Sequence, residues 1–136
     1  MSNDEVLEYL VREVEETGVG TAISLYMNGL IVAGTTMCSK RYCDLMSALR
    51  SEQFQTTGPK EIAIEKHRLD ENEKYFWDRI KKTSEKIEYI HLDMATVYSP
   101  DLLPTYVAVN PWRGKISSID AWSIGIVTPF KKPRRS

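Results

Sequence analysis

The chain has 136 residues, 42% of them hydrophobic and 27% charged, and a formal net charge of −1. That length suits one domain around one core, and near-neutrality excludes a global attraction to nucleic acid or anionic membrane. No stretch approaches the ~20 apolar residues of a bilayer span, and Asp4 and Glu5 stand where a secretory leader would be basic, so the expected compartment is the cytoplasm.

Ser2 and Glu5 have capping-box spacing, and Val6, Leu7, Leu10, Val11 and Val14 recur on one helical face before Gly18. A helix therefore opens the chain. From Thr21 the period becomes two, with Ile23, Leu25 and Met27 on one side and Ala22, Ser24 and Tyr26 on the other, which predicts a half-buried strand. Asn28–Gly29 fits a two-residue type I′ turn leading into a second strand over Leu30–Cys38. Gly34 lies inside that strand and removes a side chain where a sheet bends sharply.

Ser39 is placed to cap a second helix whose buried face reads Tyr42, Leu45, Met46 and Leu49. Gly58–Pro59 marks an irregular link, and Leu69–Lys82 is charge-dense but carries Tyr75, Phe76, Trp77 and Ile80, which predicts a third helix. Ile87–Tyr98 returns to strand composition. Ser99–Pro104 reads as a loop and Thr105–Val109 as a short strand, while Pro111 belongs at an edge or bulge. Trp112–Val127 supplies one or two last strands, and 128–136 is a basic tail opposite in charge to the acidic start.

Catalytic and metal chemistry find little support. Cys43 with His67 or His91 could in principle make a nucleophile and base, but His91 sits between Ile90 and Leu92 as a strand residue and His67 lies in a polar link. Cys38 and Cys43 with the two histidines are too dispersed for a structural zinc site, which presents ligands in close pairs. Both thiols read as reduced, Cys38 as the core residue of the two. Asp70, Glu71 and Glu73 suit the start of a helix, and no phosphate-cradling GxxxxGK[ST] run exists. No cofactor is expected. The best polar candidates are Lys40, Arg41 and Tyr42, with Trp112 and Arg113, because cations beside aromatics neutralise phosphate and stack on bases. Asn28, Gly29, Gly34 and Gly114 are the expected turn and bend positions.

The order of helix, strand, Asn-Gly turn, glycine-bearing strand LIVAGTT (Leu30–Thr36) and a late Arg113–Gly114 before an Ile-rich strand resembles the Sm-like fold. That resemblance implies a mainly β domain over 1–127: a strongly bent five-stranded barrel with an N-terminal helix and a helical insertion at about 39–85 between strands 2 and 3. It places Arg113–Gly114 in the loop before the last strand. It also implies edge-strand pairing between copies, closing into rings. The usual Asp- and Met-Asn-containing loop motif is absent, Ser39–Cys43 standing in its place.

The blocks ISLYMNGLIVAGTTMCSKRY (Ile23–Tyr42), YIHLDMATVY (Tyr89–Tyr98) and WRGKISSID (Trp112–Asp120) are similar, in the same order, to the GvpU family of gas vesicle accessory proteins. This resemblance implies a non-enzymatic, self-associating accessory that acts on vesicle assembly or clustering, with gas vesicle proteins as partners. The alternative expectation is an Sm-like oligomer that binds RNA.

Overall fold

The computed structural model describes residues 4–52, 74–75, 78–80, 82, 86–102 and 106–127. Helix α1 (Glu5–Thr17) begins at Asp4, not at the expected Ser2. The Asp4 carboxylate accepts the N–H groups of Val6 and Leu7, satisfying donors that the first helical turn leaves open. Gly18 closes the helix, its N–H reaching the Val14 carbonyl. Leu7, Val11 and Val14 are buried, each worth roughly 1.5–3 kcal/mol of apolar transfer. Val6, expected on the same face, is exposed.

Strands β1 (Ala22–Met27) and β2 (Leu30–Thr36) form the expected hairpin, paired from Met27↔Leu30 to Ala22↔Thr35. At its turn Asn28 and Gly29 take φ of 52° and 73°, as a type I′ turn requires. β2 stops at Thr36, short of Cys38. Helix α2 (Ser39–Glu52) follows, then β3 (Tyr89–Tyr98), β4 (Tyr106–Val109), β5 (Trp112–Lys115), a 3-10 turn over Ile116–Ser118 and β6 (Ala121–Ile124). Of the helix expected over Leu69–Lys82, positions 74–75, 78–80 and 82 have helical backbone. Its other residues, the Gly58–Pro59 link and the 128–136 tail lie outside the described residues.

The strands make one antiparallel sheet in the order β4-β3-β2-β1-β6, with β5 pairing the first half of β3 and β4 the second half. The five strands implied by the Sm-like resemblance are six, because Trp112–Val127 supplies two strands, β5 and β6, with the 3-10 turn over Ile116–Ser118 between them. The sheet is open, not a closed barrel: β6 pairs with β1, and β4 and β5 pair with β3.

One irregularity crosses from β2 to β3 and reaches the β4–β5 junction. Between Ala33↔Thr96 and Thr35↔Asp93 the register shifts, so β3 carries one residue more than β2. The bulge holds Met94 at φ 53°, and the Met94 N–H donates to Asn110 Oδ1 at 3.1 Å where β4 gives way to β5. Gly34 faces this bulge on β2. A Cβ there would sit 3.0 Å from the Asp93 carbonyl oxygen and 3.2 Å from Ala95 Cα, so β3 approaches the bare backbone.

Two apolar clusters flank the sheet. The first joins Leu7 and Val11 of α1 to Ile23, Leu25, Val32, Ile90, Leu92 and Ile116, with Trp112 and Trp122 packed against it from opposite ends of the sheet. The second, smaller cluster holds Met37, Tyr42, Cys43 and Ile80. Cys43 is therefore the buried thiol and Cys38 the half-buried one, the reverse of the expectation, because β2 ends before Cys38 and the first turn of α2 turns Cys43 inward.

Candidate interaction surfaces

Adjacent strand residues point to opposite faces, and this separates the residues grouped by sequence. Trp112 pairs with Leu92 and packs on the α1 cluster, whereas Arg113 pairs with His91 on the other face. The two do not form one cation–aromatic patch. Gly114 is part of β5, opposite Ile90, and the Trp112 indole lies over it. It belongs neither to a turn nor to a loop before the last strand, and its missing side chain makes room for that ring.

Arg113 joins a packed polar stack. Its guanidinium lies 3.7 Å from the centre of the Tyr89 ring, and Nε donates to His91 Nε2 at 3.2 Å. The Tyr42 ring from α2 lies 4.5 Å from the His91 ring. His91 is only 4% exposed. Burial first, and the Arg113 charge second, push its pKa down to about 4, so it is neutral near pH 7 and accepts at Nε2. Burial raises the Tyr42 hydroxyl, with Arg113 opposing.

The other sequence candidates engage neighbours. Arg41 donates through Nε and Nη2 to Asp93 Oδ2, at 3.0 and 2.8 Å, tying α2 to β3. Lys40 and Asp44 form an exposed i,i+4 pair at 3.5 Å. Ser39 does not cap α2 through its own hydroxyl; its N–H and hydroxyl both donate to Glu15 Oε1 of α1. Among the described residues, no group of three or more His, Cys, Asp or Glu is placed to hold a metal ion.

Two sheet edges complete the surface. β4 has the sequence YVAV and β6 AWSI, without a charge in either. Val107 is 61% exposed and Ile124 63%. The Gly125 N–H reaches the Ala22 carbonyl, so hydrogen-bonded pairs alternate along β1 and β6, and Trp122 and Ile124 aim their backbone groups away from β1. Past β6, Gly125–Val127 folds onto the sheet as a strap. Ser24 Oγ donates to Gly125 O at 2.8 Å and accepts from the Val127 N–H at 2.9 Å, while the Tyr98 hydroxyl donates to Val127 O at 2.6 Å.

Sequence reasoning missed Ser24, Tyr98, Met94 and Asn110. Asn110 carried a signal, an amide directly before Pro111 between two short strands. Ser24 carried none, since its alternation marks it as solvent-facing until the strap covers it.

No helix among the described residues is long and apolar enough to cross a membrane. No curated protein and no solved structure matches the chain. The family model described as "Gas vesicle protein GvpU-like" matches residues 4–127, which take in every strand and both helices named above, and the chain therefore belongs to the GvpU-like family of gas vesicle proteins.

Proposed function

We propose that this chain is a non-enzymatic gas vesicle accessory protein of the cytoplasm that self-associates through its sheet edges, β4 of one copy against β6 of the next. The observation that carries this reading is the pair of uncharged, apolar strands β4 and β6 at opposite ends of one sheet, although β5, which shares the β4 end, carries Arg113 and Lys115. Monomeric sheet proteins blunt such edges with Lys, Pro or inward charges. Two unlike edges on one chain make a head-to-tail contact, which closes into a ring or continues as a chain of copies. The family match supports gas vesicle proteins as the partner class. A shell is built from repeated subunits, so an assembly presenting several weak sites gains effective concentration at its surface and promotes assembly or clustering without one strong contact.

The test is solution mass by light scattering, together with recovery of gas vesicle proteins by the full-length chain. Ile124→Lys and Val107→Lys, each placing a charge on one exposed edge, are expected to lower the mass toward the monomer and to weaken recovery together. A wild-type chain that remains monomeric at high concentration and recovers no gas vesicle protein refutes the reading.

A further inference from the structure

We propose that His91, buried beneath Tyr42 of α2 and accepting from Arg113 of β5, is a proton-sensitive latch for α2: acidification releases this helix from the sheet while the core between α1 and the sheet stays folded. The proposal does not depend on self-association.

The two clusters make local release possible. His91 sits between Ile90 and Leu92, which face the α1 cluster, while its own ring faces Tyr42 beside Met37, Cys43 and Ile80. Charging His91 therefore strikes the smaller cluster directly and leaves the larger one intact. Among the described residues, the polar ties of α2 include Ser39 to Glu15, Arg41 to Asp93, and Tyr42 against the His91–Arg113 pair.

The groups facing His91 decide the sign. Arg113 comes from β5, Tyr42 from α2 with Arg41 and Cys43 beside it, Tyr89 and Asp93 lie two residues either way along β3, and the helical positions around Ile80, which shares the Tyr42 cluster, carry Asp78, Arg79 and Lys82. Lys115, further along β5, is exposed. Asp93 is already held by Arg41. A proton on Nε2 replaces the acceptor that Arg113 Nε uses with a second donor, and places two cations in contact.

In the released helix state the burial that lowers His91 is relieved while Arg113 stays beside it, so its pKa rises toward the ordinary value of about 6.5 from about 4 when docked. A lowered docked-state value means the stabilisation is complete above about pH 6.5 and is lost as pH falls toward 4. Within that window each unit of acidification favours release roughly tenfold.

Cys43, 6% exposed inside the smaller cluster, reports the opening. In a Cys38→Ser chain, Cys43 is reacted with 4,4′-dithiodipyridine, its rate divided by that of N-acetylcysteine at the same pH. The normalised rate is expected to rise roughly tenfold per unit from about pH 6.5 to about 4.5, while the amides of β1 and β2 keep their protection from hydrogen exchange. His91→Gln retains an acceptor for Arg113 that does not titrate and is expected to flatten the rise. His67→Asn is expected to leave it unchanged, and Asp93→Asn to shift its level but not its slope. An unchanged slope in His91→Gln overturns the latch. So does loss of β1 and β2 protection together with Cys43 exposure, a wild-type measurement that stands even if the variant fails to fold.

Discussion

Gly29 and Gly34 lie five residues apart and do different work. Gly29 has open space around its α-carbon but a φ of 73°, so a side chain there meets conformational strain. Gly34 has the reverse problem, since its obstruction is the backbone of the β3 bulge, and backbone cannot swing aside. Gly29→Ala is expected to cost about 1–2 kcal/mol, and Gly34→Ala about 1–3 kcal/mol. Urea denaturation measures both, and the two variants should also differ in kind. Gly34→Val, with two further methyls against Asp93 and Ala95, should lose the bulge itself and with it the protection of the Met94 amide. A Gly34→Val chain as stable as wild type would show that β3 does not need this approach. The hairpin turn was legible because Asn-Gly encodes its own φ values. The close approach was not, because only the long-range register brings residue 94 opposite residue 34.

Among the elements, α1 and the β1–β2 hairpin follow from local period, while β4, β5 and the strap follow from what they meet. β1 read as half-buried, with Ser24 on its open side, yet Ser24 is fully buried beneath Gly125–Val127. Its hydroxyl serves as donor and acceptor at once. Ser24→Ala strands the Val127 N–H and the Gly125 carbonyl, and is expected to cost about 1–3 kcal/mol, with faster hydrogen exchange at Val127 as its local signature. Exchange at Val127 unchanged from wild type would mean the strap is held by Tyr98 alone. The candidate cluster around Arg113 failed in a related way. Neighbours in sequence looked like one patch, but a strand sends Trp112 and Arg113 to opposite faces, one into the core and one to His91. Even a correct strand assignment leaves open which face is covered, and α2 decides that here by laying Tyr42 over β3.

At the scale of the whole molecule, the described structure is an open six-stranded sheet with a large cluster on the α1 side and a small one under α2. Leu25→Ala, in the large cluster, is expected to lower global stability by about 2–5 kcal/mol, seen in the same urea midpoint by near- and far-UV circular dichroism. Coincident transitions would show that the sheet and α1 unfold as a unit; separate ones would not. The uncharged edges belong to this scale as well, since an edge exists only once the other strands have paired. The sequence alone determined the family, through three matching blocks, and the opening helix, the Asn28–Gly29 hairpin and the mainly β class, through short-range period, capping and turn chemistry. Tertiary structure alone decided that β4 and β5 divide one partner strand, that the sheet stays open, that Cys43 and not Cys38 is buried, and that Arg113 belongs with a buried histidine. Those outcomes depend on register and on which face another element covers, and both are fixed by contacts between residues tens of positions apart.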